Sequence, residues 1–538
     1  MPNWLFPWRS THWQLKDDAV AGLIVAILII PQAIGYGLLA GLPPSVALAS
    51  CILPLIAYAF LGKSHALAVG PVAIISLMVG DALQNVPQEM LIQAAQLLSL
   101  QVALCLATLR ILNLGNLVHF IGHPVVQGFT TAAAVLIISK QVPHILGTRD
   151  LQDFAIDLPT AIFSGFALIF LVILKIFKLP VITKAAPLLL VGIGVLITTQ
   201  SSITLNTVNM TQELQGFQLT WQLPWSLFNE LLPNAALIAI IGFIESTSVA
   251  KNLAHKRKER VYANKELMGL SLANFAAAFS NAYPVAGGFG RTMVNDDAGA
   301  TSPLAGVFTA LYVVCFLLLA SYLIQYIPMA ALGAIVTLAV WTLLDFSPVF
   351  KHWRVQPKEN SIWLVTFVIV LFEGVESGIL AGVAVSIFFL IRSAAQPHIA
   401  IIGRIPGTAH FRNIKRHQVE TLDNLLAIRI DEGLHFANRD AIDDFIERAI
   451  KQFPNAQNLL IVCSAVNVLD SDGIELLQIW HDNLLEQNKL LHLAEVKGPI
   501  MDELEKRGFI DKIKPGTVFL STHQAFEALS QSTDAPQP

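Results

Sequence analysis

Charge is scarce in this chain. Asp, Glu, Lys and Arg make up 13% of its 538 residues, about half the share usual in a soluble protein. That shortage excludes a conventional hydrated surface over most of its length. Neither sign is in large excess, with 34 basic against 38 acidic residues and a net charge of −4, so no bulk positive field points to a nucleic-acid partner. Cysteine is scarce and scattered. Cys51, Cys105, Cys315 and Cys463 have neither disulfide-framework nor metal-ligand spacing and read as small core side chains. Phosphate-binding signatures fail as well. "AYAFLGKS" (57–64) ends like a P-loop but has Ala57 at the first glycine position, and "GGFGRT" (287–292) lacks the third glycine of a dinucleotide fingerprint. With no nucleophile–base set in view, an enzyme reading has nothing behind it.

What is present is apolar. Apolar residues make up 54% of the chain, and the mean hydropathy is +0.61. Runs such as 18–42, 158–174 and 304–324 match the ~20 residues that cross a bilayer core of roughly 30 Å. This composition predicts a polytopic α-helical membrane protein. The first run is too long for a signal peptide, and many spans follow it. Ahead of it, the Trp-containing 2–18 stretch reads as an interfacial lead-in.

Hydropathy alone gives about ten to twelve spans. Basic residues refine the count, because cytoplasmic connections retain them. With the N-terminus inside, inward connections carry Lys63, Arg110, Lys175, Lys178, Lys184, the 251–265 cluster, and Lys351, Arg354 and Lys358. Outward connections are nearly free of Lys and Arg, including the long 200–231; Arg149 is the exception. Fourteen spans with both termini cytoplasmic satisfy this pattern, provided the short segments 66–80 and 286–299 each count as a span.

Those two segments, "HALAVGPVAIISLMVGD" (65–81) and "NAYPVAGGFGRTMVNDD" (281–297), are alike. Each begins with β-like residues, meets a Gly/Pro break, becomes helical and ends on acid. Matching positions suggest two seven-span repeats. Paired interruptions of this kind point to a transporter binding site. A half-helix beginning at mid-membrane exposes unpaired N–H groups and a partial positive charge, so two of them facing each other suit an anion. The alternative is a pair of ordinary kinks. Arg291, at the start of the second half-helix, costs about 2.5–3.5 kcal/mol near the bilayer centre. It either adds charge to an anion site or pairs structurally with Glu245.

Glu245 is the acidic residue expected deep within a span. At that depth its neutral form is far cheaper than its ionised one, which suits a proton carrier; the alternative is a structural partner for Arg291. In the first span Gln32 and Tyr36 share a helical face, as substrate contacts or as interhelical and interfacial anchors.

After Arg392 the composition changes. Residues 1–395 are predicted to form the membrane domain, 396–422 a linker, 423–530 a small cytoplasmic α/β domain of alternating strands and helices, and 531–538 a disordered tail.

Several stretches together resemble the SulP (sulfate permease) anion transporters with a C-terminal STAS domain. They are "PQAIGYGLLAGLPP" (31–44), "AVGPVAIISLMVG" (68–80), "GFIESTSVAKNLA" (242–254), "NKELMGLSLAN" (264–274), "YPVAGGFGRTMVNDDAGATSPLAG" (283–306) and "NVLDSDGIELL" (467–477). The resemblance covers nearly the whole chain. It implies a 7+7 inverted repeat of core and gate domains, elevator-type movement and homodimerisation. It places substrate contacts on Gln32, Tyr36, Gly70, Pro71, Val72, Ala73, Gly288, Phe289, Gly290 and Arg291, with Glu245 as the proton-coupling group. Gly290 departs from the serine of many relatives, leaving more of the binding to backbone N–H groups. Asp472 stands where many STAS domains carry a phosphorylatable Ser or Thr, and is expected to cap the following helix.

The resulting expectation is a secondary active transporter of a small inorganic or organic anion in the inner (plasma) membrane. Sulfate with a proton is the first expectation, and no cofactor or metal is expected beyond the coupling ion. Sodium-coupled bicarbonate symport, dicarboxylate transport, nucleobase–proton symport, and a membrane sensor acting on a cytoplasmic protein partner through the STAS domain are the alternatives.

Overall fold

The computed structural model describes residues 14–531, apart from 63, 116–121, 149–155, 178–179, 202, 209–221, 259 and 352. Residues 2–13 of the expected lead-in, the tail 532–538, Lys63, Arg149, Lys178, and residues 202 and 209–221 of the 200–231 connection lie outside the described residues, while 15–18, expected in the lead-in, open the first helix. The chain divides into two compact units, Met1–Ser386 and Ile387–Pro538. The division falls inside the helix Val375–Ala395, ahead of the expected boundary at 395.

The first unit is helical. Its first half runs α1 (Leu15–Leu39), α2 (Pro44–Ala49), α3 (Leu53–Leu61), β1 (Val69–Gly70), α4 (Ala73–Ala82), α5 (Leu91–Ile111), α6 (His123–Leu146), α7 (Leu158–Ile176) and α8 (Pro180–Gln200). The second half runs α9 (Phe228–Arg257), α10 (Ala263–Ala278), β2 (Ala286–Gly287), α11 (Phe289–Asp297), α12 (Leu304–Ala320), α13 (Met329–Trp341), α14 (Ser347–Lys351), α15 (Pro357–Glu373) and α16 (Val375–Ala395). In each half a two-residue strand and a short helix follow the opening helices. Among the described residues eight helices are long and apolar enough to cross a membrane, and three more are apolar but shorter. The broken segments escape a length criterion because α4 and α11 have only 10 and 9 residues.

Helix α1 packs against α2, α4, α11 and α12, and also against α8 and α13. Its wide contact surface reflects near-complete burial from Ala33 to Gly37. A second packed set joins α5, α9 and α10, with α10 also against α3, and a third joins α6, α7, α13 and α15. Small residues set the spacing. A Cβ on Gly22 would lie 2.7 Å from Phe308 Cβ, and one on Gly128 would lie 2.6 Å from the Trp363 carbonyl oxygen, so these helix pairs approach backbone to backbone.

The second unit is a six-stranded sheet in the order β4-β3-β5-β6-β7-β8. Its strands are β3 (Ile399–Arg404), β4 (Phe411–Asn413), β5 (Leu425–Ile430), β6 (Asn458–Val462), β7 (Leu490–Ala494) and β8 (Val518–Phe519). Strands β5 to β8 are parallel, and β3 is antiparallel to both β4 and β5. The helices are α17 (Arg439–Gln452), α18 (Ser471–Glu486), α19 (Gly498–Lys506), α20 (Phe509–Lys512) and α21 (Thr522–Gln531). One face of the sheet packs on α17, α18 and α19 through Ile442, Leu477, Trp480 and Leu504. The other packs on α21 through Phe526 and Leu529.

Two expectations are corrected here. Residues 396–422 are not a linker, since they supply β3 and β4. Ile401 and Ile402 bury on opposite faces of the sheet, and Arg404 exchanges backbone hydrogen bonds with Glu420 at 2.9 and 2.7 Å. The helix cap falls to Asp470 and not to Asp472. Asp470 has the extended backbone of a cap and its carboxylate accepts the Gly473 N–H at 2.9 Å, while Asp472 lies inside the first turn, 3.7 Å from Arg439.

Candidate functional site

The two broken segments meet. Strand β1 pairs with β2 in antiparallel register, Val69 opposite Gly287 and Gly70 opposite Ala286, and the Gly288 N–H reaches the Ala68 carbonyl at 3.2 Å. The chain therefore leaves this crossing in opposite directions as α4 and α11. Their N-caps, Val72 and Gly288, are extended and provide no side-chain cap. The first i to i−4 bonds are those of the Ser76 and Thr292 amides, to the Val72 and Gly288 carbonyls at 2.8 and 3.0 Å. The N–H groups of Ala73–Ile75 and Phe289–Arg291 precede them and have no helical partner. Two positive helix ends thus flank one short strand pair, which can hold an anion without a metal.

Arg291 backs this crossing. Only 3% of it is exposed, and both Nη1 and Nη2 lack a hydrogen-bond partner. Glycine lets it approach, since a Cβ on Gly70 would lie 2.9 Å from Nη1 and one on Gly288 the same distance from Nη2. Gly70 also has φ +153°, a conformation glycine adopts readily and other residues rarely do. Phe289 and Gly290 face the other way. Phe289 is 54% exposed, and a Cβ on Gly290 would meet nothing within 4 Å. The departure at Gly290 therefore leaves open space beside the α11 amides.

Helices α9 and α1 complete the surroundings. Glu245 on α9 is partly exposed, and its Oε2 is buried without a partner. It lies within electrostatic reach of Arg291, as do the hydroxyls of Tyr36 and Tyr283. Glu245 Oε2 and Arg291 Nη1 and Nη2 are each buried without a hydrogen-bond partner, so no hydrogen bond joins these atoms. Tyr36 is buried and Gln32 half-buried on α1. The structure thus gathers Tyr36, Gly70, Gly288, Arg291 and Glu245, and places Pro71, Val72 and Ala73 at the opening of α4. For Gln32 it fixes only the shared face of α1.

Two other acids in the helical unit are more deeply buried than Glu245. Glu266 on α10 is fully buried and accepts a 2.6 Å hydrogen bond from the Tyr58 hydroxyl. Asp18 on α1 is equally buried and accepts from the Thr301 and Ser302 amides at 2.7 and 3.1 Å. Both sit near helix ends, where a sequence reading assigns solvent.

Residues that brace the crossing were not singled out from the sequence. The Ala68 N–H donates to Thr292 Oγ1 at 3.0 Å, and Asn295 Nδ2 donates to the Ala66 carbonyl at 3.0 Å. Tyr283 is bound through its N–H to Ser50 Oγ and through its hydroxyl to Ser76 Oγ, at 3.1 and 2.9 Å. Thr292 and Asn295 are one turn apart on α11, a weak signal that only the fold makes readable.

In the second unit Asp470 accepts amide hydrogens from Gly473 and Phe436 at 2.9 Å each. Burial opposes its ionisation, but these amides prevail and hold the carboxyl below its usual range. Among the described residues no cluster of His, Cys, Asp and Glu could hold a metal.

Apolar helices of spanning length, two opposed half-helices at a strand crossing, and a separate α/β unit define a multi-pass helical membrane protein of broken-helix architecture. The chain belongs to the sulfate permease family, whose model matches residues 15–366, and a STAS domain model matches 416–525. It is 33% identical to "Sulfate transporter 4.1, chloroplastic" of Arabidopsis thaliana, over 98% of this chain and 82% of that one. Its fold is similar to that of SLC26A9, with a TM-score of 0.88 at 20% identity, covering 99% of this chain and 93% of that one. It is also similar to the transmembrane domain of a cyanobacterium bicarbonate transporter, BicA, with a TM-score of 0.60 at 18% identity over 70% and 98% of the two chains.

Proposed function

We propose that the protein is a secondary active transporter that carries sulfate across a membrane together with a proton. The observation that carries this reading is the buried, unpartnered Arg291 guanidinium behind two open half-helix N-termini. A fixed positive charge at that depth calls for a negative partner, and the unpaired amides supply directional donors for one. The names of relatives favour sulfate. Glu245, facing the same place with an unpartnered oxygen, carries the coupled proton: a neutral glutamic acid and a bound anion enter the cleft more cheaply than two negative charges do.

Fourteen spans in two inverted halves with both termini cytoplasmic agree with the distribution of Lys and Arg and with the like order of elements in the two halves, and the membrane in this reading is the plasma membrane. In this reading the helices that carry the crossing move as one body against the rest, in an elevator-type cycle, and the protein works as a homodimer. The STAS domain is the place for a cytoplasmic protein partner.

The test is flux in proteoliposomes containing purified protein. Uptake of labelled sulfate that rises with an inward proton gradient, and that sulfate itself competes best, supports the reading. Uptake that follows sodium and is competed by bicarbonate, or that prefers succinate or fumarate, replaces the substrate. Absence of any flux returns the protein to a sensor role.

A further inference from the structure

Strand β2 has two edges, and only one faces β1. In an antiparallel pair, alternate residues direct their backbone groups to opposite edges. Ala286 and Gly288 face β1, where Ala286 lies opposite Gly70 and the Gly288 N–H reaches the Ala68 carbonyl. Val285 and Gly287 face outward, where a third strand would lie, and two helix side chains take its place. Asn274 of α10 accepts the Val285 N–H at Oδ1 (2.9 Å) and donates from Nδ2 to the Val285 carbonyl (3.0 Å). Ser246 of α9 accepts the Gly287 N–H at 2.8 Å while its own hydroxyl donates to the Gly242 carbonyl at 2.6 Å. Asn274 and Ser246 are 1% and 0% exposed.

An unpaired edge amide at this depth would carry a large desolvation cost. The two side chains remove that cost and at the same time fix where β2 ends and α11 begins. Ser246 is also the chain neighbour of Glu245. The helix that holds the carboxyl is thereby tied, by one hydrogen bond, to the residue preceding the Gly288 cap.

We infer that Ser246 and Asn274 are positioning residues, a surrogate third strand that holds the α11 amides in register for the anion and links them to the helix carrying Glu245. This inference rests on the anion-transport reading and adds to it a positional role for two residues outside the cleft.

The test compares Ser246→Ala and Asn274→Asp with the full-length wild type and with Ser99→Ala. Ser99 is another fully buried serine, bonded only within its own helix, and so reports the generic loss of a buried hydroxyl. Asn274→Asp keeps the acceptor for the Val285 amide and replaces the donor to the Val285 and Leu270 carbonyls. Hydrogen exchange is read on peptides spanning 283–292, and sulfate KM and maximal rate are read in proteoliposomes. The expected result is faster exchange across 283–292 and an increase in KM of about tenfold in both variants, each larger than any change in Ser99→Ala. Exchange and KM equal to wild type, or equally disturbed in Ser99→Ala, overturn the inference. The exchange measurement needs no substrate. Wild type that fails to move sulfate therefore refutes the sulfate reading, while unchanged exchange refutes the clamp.

Discussion

The two interrupted segments share a plan and differ in how they are held. The first, around β1 and α4, owes its shape to Gly70 at φ +153° and to Pro71. Its strand end is gripped from outside, by Thr292 and Asn295 of α11. The second, around β2 and α11, carries the charge and is itself braced by Asn274, Ser246 and Ser50. One half therefore supplies a passive set of amides, while the other supplies amides, Arg291 and the connection to Glu245. A repeat that began as two equal halves would keep its backbone geometry in both and need its charge in only one. Mutations in the second segment should then alter affinity, and those in the first should alter folding.

The largest expected effect comes from removing the charge. Arg291→Ala should raise the sulfate KM about a hundredfold, the scale of losing a charge-assisted contact, with the protein still monodisperse in detergent. An unchanged KM would give Arg291 a packing role and dissolve the contrast between the segments. Next is Glu245→Gln. Wild-type uptake should rise as external pH falls, and the variant should transport at a rate flat across the same series; a retained pH slope would move proton coupling elsewhere.

A matched pair of glycines sharpens the comparison further. Gly70→Ala places a Cβ at a positive φ against Arg291 and should cost about 1–3 kcal/mol, seen as a lowered thermal unfolding midpoint. Gly290→Ala, which meets open space, should stay within about 0.5 kcal/mol of wild type. Equal destabilisation would show that the first segment is not the one defined by backbone strain.

A reference for both segments lies away from them. His492 in β7 accepts the Thr517 N–H at Nδ1 and faces Asn458 Oδ1 with Nε2, each at 3.1 Å. Burial pushes it down from 6.5 to about 4. The folded state thus resists a proton that the unfolded chain accepts. Its stabilising contribution is complete above about pH 6.5 and is lost as pH falls toward 4. The protection of 515–519 against hydrogen exchange, taken relative to the intrinsic rate at each pH, should fall over that interval, and His492→Asn should flatten the response.

Much of this architecture could be read from residue order. Glycine and proline inside apolar sequence marked both broken segments, and Arg291 and Glu245 stood out because charge is rare there. The strands β5, β6 and β7 followed from short apolar runs between polar helices. What escaped depended on three-dimensional closure. Strand β4 has only three residues, and the charged residues from Arg404 to Glu420 beside β3 resemble a linker. The Asp470 cap depends on backbone angles that "DSDG" does not disclose. Asn274 and Ser246 act on backbone groups 11 and 41 residues away, distances that follow no helical or strand period. Asp18 and Glu266 look solvent-facing by position and are buried because neighbouring loops and helices fold over them.

The most direct measurement is anomalous diffraction from crystals grown with selenate in place of sulfate. A selenium peak within about 4 Å of the amide nitrogens at both 73–75 and 289–291, the reach of a hydrogen-bonded oxyanion, is the predicted result. A selenate held elsewhere, with those amides bare in protein that still transports sulfate, would contradict it.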